Sequence, residues 1–309
     1  MTEILDRIKN PSMSNIRLNL IMIIAIIVWA FAFPFIKIGL EELSYINLTI
    51  LRLAIVCISF IIIFIIKNNR FSKLNRTDIL PIFILGFFGV IMYHLALNYG
   101  ELSISPGLAS LIIATIPIFV LIFAKIFIKE KLRKIKILGI IIAFLGVVII
   151  SLFGKGYISI EKTYIIGIIA VLFAAIMGAI YTIAGKKLLS RYDALSLTAY
   201  AILFGSLGLI PFLHPIINPL FFDQVTKLSN IGWIAVIFLG VFSTVIGYTL
   251  WFIALEKKSA SELSVYLYAI PVLATLISYL LFADMITEFY IFGGSFVIIG
   301  LYLVNKKID

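Results

Sequence analysis

A four-residue pattern occurs twice in this chain, and the charge around it reverses between the copies. Pro117, Glu130, Gly139 and Gly146 return as Pro271, Asp284, Gly293 and Gly300, each 154 positions later (271 − 117 for the first pair). Pro and Gly each make up only roughly 5–7% of an average chain, so one register that matches at all four positions points to a duplication. Lys125, Lys129, Lys131, Arg133, Lys134 and Lys136 crowd the acid of the first copy, whereas Asp284 and Glu288 stand in the second with no base nearby. Loops rich in Lys and Arg stay on the cytoplasmic side of a membrane. In a membrane the two copies therefore face opposite ways, and that antiparallel relation restricts the fold more than any other feature.

Composition puts the chain in a membrane. Hydrophobic residues make up 63% and charged residues 13%, against roughly 45–50% and 25% in soluble domains. Mean hydropathy is +1.19. Ten apolar runs lie near 18–39, 46–66, 79–99, 104–124, 135–153, 163–184, 195–213, 231–254, 262–282 and 288–304. Their many Ile and Val residues would favour strands in water. Length decides for helices, because a barrel strand needs only about 10 residues of alternating polarity and these runs are longer and apolar on all sides. The expected fold is an all-α integral membrane protein of ten transmembrane helices in two inverted five-helix repeats, residues 1–157 and 158–309. The polar turn from Gly154 to Lys162 joins them. The polar, mixed-charge segment before the first run is expected to be no cleaved signal peptide.

Charge in the loops fixes the orientation. With the N-terminus inside, 20 of the 25 Lys and Arg fall in cytoplasmic segments, including Arg7, Lys9, Lys67, Arg70, Lys186, Lys187 and Arg191. External loops keep only Lys155, Lys162 and Lys227. Adding or removing one span would scramble this segregation, so both termini are expected in the cytoplasm, in the cell membrane. The net charge of +10 is then a matter of topology and anionic lipid, with no nucleic-acid partner implied. The single cysteine, Cys57, excludes a disulfide framework and a cysteine metal site. No cofactor or metal motif is present, and no Walker sequence supports an ATP-driven pump. Duplicated halves of opposite orientation are a common plan of secondary transporters.

The halves also begin alike, Trp29–Lys37 (WAFAFPFIK) against Gly178–Lys186 (GAIYTIAGK), and Ala96-Leu97 returns as Ala254-Leu255 after a longer connecting loop. With the tandem P-x₁₂-[DE]-x₈-G-x₆-G pattern, Arg52 early in the second span and Tyr93 ahead of a Ser-containing turn, the chain resembles the EamA-type group of the drug/metabolite transporter superfamily over nearly its whole length. That resemblance implies a carrier that moves small metabolites, often amino acids, outward through a central cavity. It also implies that the first, third, fourth, sixth, eighth and ninth spans line the cavity.

Several side chains are candidates for substrate contact. Lys37, Arg52 and His94 lie inside or at the edge of spans, in the external half of the membrane by residue count. Ionisable residues there are functional candidates by default, and together they form a positive vestibule suited to a carboxylate. Snorkelling to the headgroups is the rival for Lys37 and Arg52, and plain packing for His94. Trp29, Tyr93, Tyr181, Tyr248, Trp251 and Tyr266 are the aromatic candidates, each with one broad apolar face and one polar group. Of Tyr266 and Tyr268, two apart on a helix, at most one can face a cavity. Ser110, Thr115, Asn98, Ser264 and Thr275 are able to hydrogen-bond a substrate, but hydrogen bonding between helices is the commoner fate and the expected one. Pro34, Pro117 and Pro271 are candidate hinges, since a mid-span proline frees a carbonyl and bends the helix. No Asp or Glu falls in the middle third of a predicted span, which argues against proton-coupled antiport of organic cations. Glu130 and Asp284 stand at helix ends as caps or ion-pair partners.

The expected function is secondary transport of a small-molecule substrate by alternating access, with export favoured, and no enzymatic activity. A phosphate-ester exchanger is the alternative within transport, and a membrane-embedded lipid enzyme the alternative outside it. The lipid enzyme lacks motif support, since only His94 and His214 are present and no HExxH occurs. The oligomeric state is not legible, and a monomer is compatible with everything above.

Overall fold

The computed structural model describes residues 15–66, 71–128, 134–153, 161–214, 216–283 and 286–305. Glu130, Asp284, the Lys129–Arg133 cluster, the Gly154–Ile160 part of the linking turn and both chain ends lie outside the described residues.

Among the described residues every regular element is helical. Seven helices are long and apolar enough to cross a membrane, and three shorter apolar helices accompany them. In chain order these are α1 (Asn15–Leu40), α2 (Tyr45–Ile66), α3 (Arg76–Gly100), α4 (Pro106–Phe127), α5 (Lys134–Phe153), α6 (Lys162–Leu188), α7 (Ala194–Leu213), α8 (Asn230–Lys257), α9 (Tyr266–Phe282) and α10 (Glu288–Asn305). Isoleucine, leucine and phenylalanine cover the outside, among them Ile27, Ile61, Ile126 and Phe127. So large an apolar exterior suits hydrocarbon rather than water, and the protein is a multi-pass helical membrane protein.

Local chemistry starts several of these helices where polar residues interrupt the apolar runs. Ser44, Ser105, Asp193 and Ser229 each accept a hydrogen bond from the backbone N–H three residues on, at the starts of α2, α4, α7 and α8. A side-chain oxygen at this position satisfies one of the N–H groups that a helix leaves unpaired at its start. Pro106 follows Ser105 at the first helical position, where its missing N–H loses nothing.

Tertiary packing interleaves the two halves. α1 packs on α8 and α9, while α6 packs on α3 and α4. α2 lies against α8, and α7 against α3. The recurring glycines meet in reciprocal pairs between α5 and α10. A Cβ on Gly146 would fall 2.4 Å from the Gly293 carbonyl oxygen, and one on Gly300 2.4 Å from that of Gly139. Without a hydrophobic drive between helices in lipid, such close backbone contact is what holds them together.

The prolines are placed differently from the mid-span bends expected of them. Of the three candidate hinges, only Pro34 sits in a helix interior. α4 is interrupted at Ala114–Thr115, so Pro117 is the second residue of a new segment, Ile116–Ile128. Ala260–Ser264 is followed by a 3₁₀ turn, Val265–Tyr268, that opens α9, so Pro271 is the third residue of the α-helical part, Ala269–Phe282. A proline in the first turn breaks no helical hydrogen bond. In both places the bend lies at the interruption ahead of the proline.

Candidate functional site

A cavity of about 80 Å³ lies at the centre of the bundle. It is small beside the roughly 300–1,000 Å³ of sites for drug-sized ligands. α1, α3, α4, α6, α8 and α9 supply its wall, and α2 adds Arg52. Seven of the nine substrate candidates meet here: Trp29, Arg52, Tyr93, His94, Tyr181, Tyr248 and Trp251.

Arg52 is the chemical centre of this space. It is 2% exposed, so it does not snorkel. Its Nε donates to Thr244 Oγ1 at 2.8 Å and its Nη2 to Ser243 Oγ at 3.0 Å. Nη1 is buried and has no hydrogen-bond partner among the described residues. The ion pairs Arg191–Asp78 and Lys227–Asp223 both form away from Arg52. A buried guanidinium with one donor left open is a ready-made anchor for an anion.

Two π-helical turns bring the partners of Arg52 into reach. Phe87–Met92 in α3 and Phe238–Ile246 in α8 both bond with the wider π pattern. Thr244 Oγ1 donates in turn to the carbonyl of Leu239, five residues back. The extra residue per turn rotates the rest of the helix, so Ser243 and Thr244 face Arg52 and Tyr248 still faces the cavity. Such turns recur at functional sites.

Aromatic rings supply much of the remaining wall. Trp29 packs edge-on to Tyr248 with centroids 6.1 Å apart and lies 5.8 Å from Trp251. Its Nε1 donates to the Ser243 carbonyl at 3.0 Å, which fixes the indole on the cavity wall. A Cβ on Gly247 would sit 2.5 Å from that Nε1; only glycine admits the ring. Tyr181 stacks on Phe252 at 4.7 Å and meets Tyr248 edge-on at 5.2 Å. His94 Nε2 lies 3.3 Å from Tyr248 Oη, and His94 Nδ1 has no partner among the described residues.

Two candidates lie elsewhere. Lys37 Nζ reaches the Glu101 carbonyl at the end of α3, at 3.4 Å, and stays off the cavity wall. Tyr266 Oη donates to Asn19 Oδ1 at 2.6 Å. From the ninth helix Leu267 and Ile270 face the cavity instead, because the 3₁₀ turn shifts the face that α9 presents. Tyr268 and Pro271 line a separate cleft on the other side of that helix. Most of the small polar residues bond within their own helices rather than between helices: Ser110 to Gly107, Thr115 to Ile112 and Ser264 to Ser261. Asn98 does cross to Thr49.

Sequence reasoning missed Ser243, Thr244 and Thr182, which all contact Arg52 or the cavity. A hydroxyl in a span carries little signal, and no periodicity reveals a π turn. Glu101 was also missed. It is fully buried although it falls beyond the predicted third span, at the C-terminal end of α3 and off the cavity wall.

A membrane bundle around a buried cation and an aromatic box has the form of a solute carrier. The EamA-like transporter family matches residues 17–152 and 165–306, and the chain belongs to that family. A protein of Archaeoglobus fulgidus called an uncharacterized transporter is 41% identical over 290 residues, covering 93% of this chain and 98% of its own. A probable terminal-alkyne amino-acid exporter of Streptantibioticus cattleyicolor is 27% identical, covering 93% and 92%. One solved crystal structure superposes with a TM-score of 0.68 at 18% identity, covering 94% of this chain and 97% of its own; it speaks to the fold alone.

Proposed function

We propose that this protein is an exporter of small amino acids or related carboxylates, working by alternating access across the cytoplasmic membrane. The observation that carries the substrate class is Arg52, buried on the wall of a cavity it shares with Trp29, Tyr248 and Trp251, with Nη1 lacking a hydrogen-bond partner among the described residues. A carboxylate pairs with the guanidinium, and a substrate ammonium group is attracted to the faces of the aromatic rings. A zwitterion meets both needs at once. Of Lys37 and Arg52 only Arg52 reaches the cavity, which favours a single carboxylate over a phosphate ester. The exporter named in S. cattleyicolor supports the outward direction.

The inverted ten-helix plan, with repeats at 1–157 and 158–309, is supported by contacts that exchange between the halves. Gly146 meets Gly293 and Gly139 meets Gly300, the reciprocal pattern of a two-fold axis. His94 and Tyr248, 154 positions apart in the same register, meet each other. In this reading the cavity lies on that axis, both termini are cytoplasmic and the protein acts as a monomer. The two bundles rock about the cavity to open one mouth at a time. Movement follows the substrate gradient.

The test is reconstitution into liposomes with labelled amino acids, with and without a pH gradient. Saturable transport of amino acids, indifferent to the gradient, is expected. No transport of any amino acid would overturn the substrate class, and strict dependence on the gradient would give His94 a proton-carrying role.

A further inference from the structure

Two lysines outside the cavity make the same contact at opposite ends of the molecule. Lys37, near the end of α1, directs Nζ to the Glu101 carbonyl at the end of α3, 3.4 Å away. Lys186, near the end of α6, donates to the carbonyls of Leu255 at 2.5 Å and Lys258 at 3.0 Å, at the end of α8. The two lysines are 149 positions apart, as are the helix-capping residues Ser44 and Asp193 and the helix starts Tyr45 and Ala194. Their acceptors Glu101 and Leu255 are 154 apart, as are His94 and Tyr248. One interaction is therefore present in both halves, in register with the rest of the repeat.

Its chemistry is simple. The last carbonyls of a helix have no partner within the helix, and that end carries a partial negative charge which favours a cation. At the edge of a bilayer water satisfies such groups less readily. An ammonium brought in from the neighbouring helix meets the need and ties the two helix ends together. The tie spans two of the helices that wall the cavity, α1 with α3 at one mouth and α6 with α8 at the other.

We propose that Lys37 and Lys186 are reciprocal tethers, each holding one mouth of the carrier closed. This rests on the inverted, alternating-access reading given above. The tethers are unequal in this conformation. Lys186 makes two short contacts, while Lys37 makes one at the limit of hydrogen bonding. The mouth at Lys37 is the more weakly held, and on the proposed topology that is the outer one. Each half-cycle exchanges a firm tether at one end for a firm tether at the other.

The experiment uses the full chain with Cys57→Ala, which removes the single cysteine, and a reporter Ala32→Cys in the cavity wall. A charged, membrane-impermeant thiol reagent is applied from outside in right-side-out vesicles and from the cytoplasmic side in inverted ones. Lys37→Met is expected to speed modification from outside about tenfold, the effect of losing one hydrogen bond to a charged group, and to slow it from the cytoplasmic side. Lys186→Met is expected to do the reverse, and Lys→Arg at either position to stay near the parent. Lys→Leu, which also lacks a donor, replaces any Met variant that fails to reach the membrane. Shifts of the same sign for both lysines, or none, would overturn the tethers. The parent reports separately on alternating access: if its reporter reacts from one side only, with or without an amino acid present, that reading fails whatever the lysines do.

Discussion

Replacing Arg52 with methionine tests the proposed site most directly. Methionine keeps much of the length and apolar stem of arginine and removes the guanidinium. The lost contact is one hydrogen bond between a charged donor and a substrate carboxylate, worth about 2 kcal/mol, or roughly 30-fold in affinity. The fold should tolerate the change. Thr244 Oγ1 and Ser243 Oγ each lose a donor, but Thr244 keeps its bond to the Leu239 carbonyl, and removal of a buried charge offsets part of the loss. Arg52→Lys keeps the charge but gives up the planar fork, so it cannot hold Ser243, Thr244 and a carboxylate together; an intermediate loss is expected. The assay is counterflow in proteoliposomes with an amino acid and its amide. KM for the amino acid should rise roughly 30-fold in Arg52→Met, and KM for the amide should hardly change. Equal effects on both, or none on either, would refute the anchor.

Three other outcomes are expected from the same packing. Gly247→Ala would push a methyl group to 2.5 Å from Trp29 Nε1, and because the indole is pinned to Ser243 it cannot swing away; thermal unfolding in detergent should show about 1–3 kcal/mol of destabilisation, with transport reduced. Gly146→Leu would drive a side chain into the Gly293 backbone, so α5 and α10 should separate, and a disulfide between cysteines placed on the two helices should no longer form. Glu42, in the loop between α1 and α2, accepts from the hydroxyl and the amide of Ser229 at 2.6 and 2.8 Å, and these bonds hold its carboxyl below the ordinary carboxylate range. Its contribution to stability is therefore present above the unfolded pKa and lost as pH falls through the lower folded value; the melting temperatures of the parent and Glu42→Gln should differ at pH 7 and converge in acid.

Much of the architecture could be read before any coordinates. The predicted spans agree with the observed helices to within a few residues, as 46–66 against Tyr45–Ile66 and 288–304 against Glu288–Asn305 show. Twenty apolar residues in a row leave the backbone no other way to pair its polar groups in lipid. The site was legible in part. Arg52, Trp29 and His94 stood out because charge and large amphipathic rings are rare inside spans. Lys37 stood out for the same reason, yet it caps a helix end beside the cavity. The interruption of α4 at Ala114–Thr115 was legible only in part, since Pro117 marks a bend but not its place ahead of the proline.

Sequence alone determined that this chain lives in a membrane, that it is helical there, and that its two halves share a register. Those properties arise from local composition and spacing, which act without reference to distant residues. Only the tertiary structure decided which side chains share the central space. Where a π turn or a 3₁₀ turn re-aims a helix face, and which helix of the other half it then meets, depends on contacts between residues such as Arg52 and Thr244, which lie 192 positions apart.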